Sequence, residues 1–223
     1  MVPDAQNWIR HTEVHMRTWL IAFFLALLPT DASMQVPKKV IEDGVLDHIE
    51  LFVDALEAPT RASVIVRPFD ASAADLGTGG TSGKDVRQQE AKTMQSQGPG
   101  VLADSMVANL LKSGVFKEVS VGGPAAPLPP GTLLVEGKFV AIDPGSRAKR
   151  YFAGFGAGKS AVEVSGSVVD AQGQVLARFR QRRIGAMGLG GGDSLGKLMS
   201  DTRSIGGDIA KFLATWGRNQ PVE

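Results

Sequence analysis

Ser160–Ile184 reads SAVEVSGSVVDAQGQVLARFRQRRI, and the fold is decided by how its apolar residues alternate. Val162, Val164 and Val168 fall on one side, with Glu163, Ser165 and Ser167 on the other. After Asp170-Ala171-Gln172-Gly173, Val175, Ala177 and Phe179 oppose Arg178, Arg180 and Arg182. A period of two belongs to half-buried strands, and Asp and Gly are the residues that tight turns require. The segment therefore reads as an antiparallel hairpin.

Working outward, Thr132–Asp143 (TLLVEGKFVAID) alternates too. Leu133, Val135, Phe139 and Ala141 share one face, and Glu136 and Lys138 lie on the other with Val140 and Ile142. It makes the hairpin a meander and follows a proline-rich connector, Pro124–Pro130. Earlier in the chain, Ala62–Phe69 is β-rich, and Ala71–Lys84 is a small-residue loop. Asp85–Gln97 is charged and helix-prone. Gly98-Pro99 then opens an amphipathic helix through Leu102, Met106, Val107, Leu110 and Leu111, with Gly114 as its C-terminal cap. Val115–Val121 follows as a strand. Val45–Val53 is either a strand or a short helix, and Gln35–Asp43 reads as a flexible leader. After the glycine-rich loop Gly185–Asp193, Ser194–Trp216 is the last helix. Leu195, Leu198, Met199, Thr202, Ile205, Ile209, Phe212 and Trp216 recur at helical steps, Asp193 or Ser194 caps its start, and Gly206-Gly207 marks close packing. The expectation is an α/β (α+β) domain: a mostly antiparallel sheet of four to five strands with two amphipathic helices, built as βαβ followed by a β-meander and a C-terminal helix. Its expected limits are 61–217, after a leader at 33–60 and before a tail at 218–223.

Trp19–Leu28 (WLIAFFLALL) is apolar, Arg17 precedes it, and Pro29-Thr30-Asp31-Ala32 follows. This is the pattern of a secretory signal peptide over residues 1–32, with cleavage after Ala32 and Met16 as the better start. The run is about half the length of a spanning helix. Cleavage removes Arg10, Arg17, Asp4, Glu13 and Asp31, raising the net charge from +1 to +2. Such a balance speaks against nucleic acid as a partner. The chain has no cysteine, and His48 is the one histidine left after cleavage. Disulfides and acylation on an N-terminal cysteine are excluded, and zinc sites of the usual kinds have no ligands; no metal and no cofactor are expected. His48, inside VLDHIELFV, reads as a packed or surface histidine.

Ala153–Ser160 (AGFGAGKS) fits a relaxed phosphate-binding loop. That motif works only when a helix starts at its Lys-Ser and aims its amides at the phosphates. Here AVEVSGSVV follows. The expectation is a strand, and no nucleotide.

In a meander, the loop Pro144–Gly158 and the loop Gly185–Asp193 share one end of the sheet. The first carries Arg147, Lys149, Arg150, Tyr151, Phe152 and Phe155, with Lys159 beyond; the second carries Met187 and Leu189, after Arg182 and Arg183. Apolar loops ringed by bases suit an anionic membrane or an acidic partner. An alternative is a carboxylate-dependent hydrolase centred on Asp70, at a strand end, with Asp75. Another is a structural subunit joined through an exposed edge of the meander.

ASVIVRPFD, LLKSGVFKEV and VEGKFVAIDPGSRAKRYFAGFGAGKSAVEVSGSVVDAQGQVLARF occur in that order, and Asp143–Lys159 is the most specific part. Together they resemble a bacterial family of exported proteins, domain of unknown function family 4410, over about Ala62–Phe212. The resemblance implies export, this fold and the glycine–basic loop as a shared feature; it carries no activity. The leading expectation is an exported, periplasmic or envelope-associated, non-lipidated and non-catalytic domain that binds an envelope protein or a membrane surface.

Overall fold

Alternation in the central strands is satisfied in the fold by laying one sheet face against two helices. The structure is a computed structural model that describes residues 35–54, 62–77, 84–123, 127–145, 159–185 and 193–223. In chain order the elements are β1 (Lys39–Glu42), β2 (His48–Leu51), β3 (Ser63–Val66), α1 (Lys84–Ser113), β4 (Glu118–Val121), β5 (Thr132–Asp143), β6 (Ala161–Val169), β7 (Val175–Ile184) and α2 (Ser194–Gly217). Among the described residues the sheet has seven strands, in the order β1-β2-β7-β6-β5-β3-β4. The β5–β6–β7 meander and β2 and β1 are antiparallel, whereas β3 runs parallel to both β4 and β5.

The expected four to five strands are thus corrected to seven, in a mixed sheet. The additional strands are β1, from the polar stretch in which a flexible leader was expected, and β2, from Val45–Val53, where the choice between strand and short helix falls to the strand. Ile49 and Leu51 of β2 face the core, and β2 pairs with β7 through Ile49↔Phe179 and Leu51↔Ala177. The last residues are held there as well: Val222 is buried, and the Val45 amide donates to the Glu223 carbonyl (2.9 Å). Among the described residues, β3 flanks Thr132–Val135 of β5 and β2 flanks Ala177–Arg180 of β7, and the sheet ends at β1 and β4.

β6 begins directly after Lys159-Ser160. The helix that a phosphate loop needs is replaced by a strand. The Asp170–Gly173 turn closes the hairpin as its residues dictate. Asp170 Oδ1 accepts from the Gln172 and Gln174 amides (2.9 and 2.8 Å), and Gly173 takes φ +83.

α1 differs from expectation. It is one helix of 30 residues with Pro99 inside it, not a helix that begins there. Ala91, Met94, Gly98, Leu102, Met106 and Leu110 continue one stripe of three- and four-residue steps through the proline, so packing carries the helix across it. Leu111 lies off that stripe and is exposed. α2 is capped by Asp193, whose carboxylate accepts from the Gly196 amide (2.9 Å). A Cβ on Gly206 would lie 2.8 Å from Ser105 Cβ and 3.0 Å from the Leu102 carbonyl oxygen, so α1 and α2 cross where this glycine is needed. A β-bulge in β5 between Phe139 and Ala141 turns Ile142 into the core, reversing the expected places of Ala141 and Ile142. Among the described residues, no helix is long and apolar enough to cross a membrane.

Candidate functional site

Both helices join the core on the face that carries Val64, Val135, Val164 and Phe179. The opposite face, around the middle of β6, holds a concavity of ≈ 900 Å³ bordered by Arg67, Asp70, Glu136, Lys138, Arg178 and Arg180. Strand register sets its geometry. One cross-strand row runs Glu42, His48, Arg180, Ser165, Lys138, Asp70. The next runs Val40, Glu50, Arg178, Ser167, Glu136, and Arg67, just past β3, reaches Glu136 from the far side. Short serines on β6 form the floor, and long charged side chains on β5 and β7 form the walls.

Most of these charges are matched. Glu136 pairs with Arg67, and Glu50 lies 3.7 Å from Arg178. Arg178 also sits 4.9 Å over the Phe52 ring. His48 bridges Glu42 (2.7 Å) and Glu50 (3.4 Å), so it is packed into the sheet as a linker between carboxylates. Arg180 has no ion pair or hydrogen bond among the described residues. Lys138 has only a through-space attraction for Asp70.

Asp70 and Asp75 shape turns. Asp70 accepts from the Ser72 amide (2.8 Å) and the Ser72 hydroxyl (3.0 Å). These two bonds, backbone first, hold its carboxyl below the ordinary 3.8, and Lys138 adds to the effect. Asp75 Oδ1 accepts from the Gly77 amide (2.9 Å). Each residue also bridges to β5, at Lys138 and Ala141 respectively. Because the folded carboxyl of Asp70 is depressed, its contribution is present above the ordinary value and is lost as pH falls through the lowered one. The stability gap between the protein and Asp70→Ala, measured by urea unfolding, should therefore be open at neutral pH and close in acid. A gap that widens on acidification would contradict this origin.

Of the basic and apolar loop residues expected to share a surface, Arg147, Lys149, Arg150, Tyr151, Phe152, Phe155, Met187 and Leu189 lie outside the described residues. The strand ends that carry them are adjacent, through Asp143↔Ala161 and Ala161↔Ile184. Lys159 is half-buried beside them. Arg182 and Arg183 point to opposite faces: Arg182 lies 3.8 Å from Glu163 on the open face, and Arg183 pairs with Asp208 of α2 at 2.7 Å. Among the described residues, no three His, Cys, Asp or Glu side chains converge as a metal ion requires. The open-face constellation was visible only strand by strand, as polar positions in period two. Its assembly depends on register.

Residues 64–188 match the model of a family described as "Domain of unknown function (DUF4410)". No curated protein matches the chain. Among solved structures, it is similar to a PelC dodecamer from Paraburkholderia phytofirmans, with 12% identity, a TM-score of 0.37 and coverage of 66% of this chain and 87% of that one. It is also similar to a Xanthomonas campestris protein under the family model DUF330, with 10% identity, a TM-score of 0.38 and coverage of 73% and 90%. TM-scores this low do not establish a common fold.

Proposed function

The chain belongs to the family described as domain of unknown function (DUF4410), and from that starting point we propose an exported, non-catalytic domain that binds an envelope protein partner. The single observation that carries this reading is the concavity on the sheet face away from the helices, where charged walls flank a serine floor. A strand face left outside the core is normally covered or solvated; one shaped as a hollow with directional charges is suited to recognition. Export rests on the Arg17–Ala32 pattern. The non-catalytic reading is supported by Asp70 and Asp75, whose carboxylates are engaged in closing turns. In the native envelope, a photo-cross-linking residue at Ser167 should give a discrete adduct of higher mass. The same residue at Lys112, exposed on α1, should give none. Absence of any adduct from Ser167 would refute the open face as the binding surface.

A further inference from the structure

We infer that Arg180 and Lys138, facing each other across Ser165, form a subsite for one carboxylate side chain of an extended partner peptide lying along β6. The inference rests on the open-face reading above and gives the partner its chemistry. Four cations border the hollow, Arg67, Lys138, Arg178 and Arg180, against three carboxylates, Glu50, Glu136 and Asp70. Glu136 and Glu50 are taken up by Arg67 and Arg178, and both oxygens of Asp70 are taken up by Ser72. The positive charge left over is therefore in the Ser165 row.

Arg180 and Lys138 are both register partners of Ser165, one on each neighbouring strand. Two strand spacings put their Cα atoms about 10 Å apart, within reach of one shared group for two such long side chains. Ser165 supplies a hydroxyl beneath it. The Ser167 row on one side and Glu163 with Arg182 on the other are already neutralised. A single negative charge fits the surplus, and a second one nearby would meet Glu136, Glu50 or Glu163. The rows repeat every two residues along β6, about 7 Å, which is the spacing of same-side residues in an extended peptide. The surface thus presents polar, cationic and polar subsites in peptide register. That pattern favours one acidic residue between uncharged polar ones over a phosphate or a charged lipid surface.

The test is an NMR titration of the isotope-labelled protein with an acetylated Ser-Thr-Ser-Glu-Ser-Thr-Ser peptide. Inorganic phosphate and phosphatidylcholine–phosphatidylglycerol vesicles are the comparison arms. Saturable shifts should centre on Ser165. They should weaken about fivefold when the peptide's Glu is Gln, and as much in Arg180→Gln or Lys138→Gln, with Lys112→Gln unchanged. Equal binding of the Gln peptide overturns the inference. So does tighter saturation by phosphate, or vesicle capture that depends on Arg180. If the Ser167 adduct forms while the peptide fails to bind, the open face stands and its carboxylate chemistry falls. If neither is seen, both fall.

Discussion

Gly137→Ala is expected to destabilise the protein by about 3 kcal/mol, at the upper end of what overpacking costs. Gly137 of β5 and Gly166 of β6 are register partners at the centre of the sheet, on the helix-facing side. Phe69 lies over the first and Phe179 over the second. A methyl on Gly137 would be driven onto the Ser165 carbonyl oxygen, 2.6 Å from the Phe69 ring and 2.8 Å from Gly166 Cα. Two of those three obstacles are backbone, so no rotamer change relieves the clash. Moving them would shift β6 and the serine floor on its other face. For a domain of this size the midpoint should fall by roughly 10 °C. Gly207→Ala is the contrasting case. Its nearest obstacle is Asn109 Nδ2 at 3.8 Å, and inside a helix the change should stabilise by roughly 0.5–1 kcal/mol. Thermal melts of the pair check both signs; an unchanged midpoint for Gly137→Ala would show that the glycine pair is not tightly packed.

Phe179→Ala should cost about 3–5 kcal/mol, the range for emptying a buried aromatic site. Phe179 is 2% exposed and stands between Phe69 (centroids 6.3 Å apart) and Phe212 (6.2 Å). Its deletion would uncover Gly166, whose missing side chain that ring replaces, and would break a column of rings from the sheet into α2. Phe179→Leu, which keeps most of the volume, should recover more than half of the loss. Urea denaturation distinguishes the two. Equal losses for Ala and Leu would mean that the ring's volume is not what the site uses.

The hairpin and α2 were legible in the sequence because their signals are local: alternation, an Asp–Gly turn, and an apolar stripe with an Asp cap. β1 was not, and β2 was legible only as a stretch open to strand or short helix, for a physical reason. Each spans four residues, and β1 buries only Ile41. What makes them strands is pairing, β1 with β2 and β2 with β7, the latter more than a hundred residues away in the chain. Pro99 was misleading because a proline is at home in a first turn, but the stripe from Ala91 to Leu110 passes through it in phase. The open face was half legible. Glu136, Lys138, Ser165, Ser167, Arg178 and Arg180 all fall on the polar side of their strands in period two. Which of them meet depends on register, and Glu50 and Arg67 arrive from strands whose order no local pattern encodes. Asp70, expected at a strand end, lies four residues past β3 in an isolated bridge to Lys138, and its turn chemistry with Ser72 two positions on is a local signal.

Trp216 stacks on Phe212 with centroids 6.0 Å apart and planes 8° from parallel, and it is 1% exposed. It is the one tryptophan among the described residues. With Trp8 and Trp19, which lie outside the described residues, replaced by Phe, the indole is a built-in optical reporter at the junction of sheet and helix. Its emission should lie to the blue while the domain is folded and shift to the red when the aromatic column parts, so loosening of this layer can be followed without any added dye.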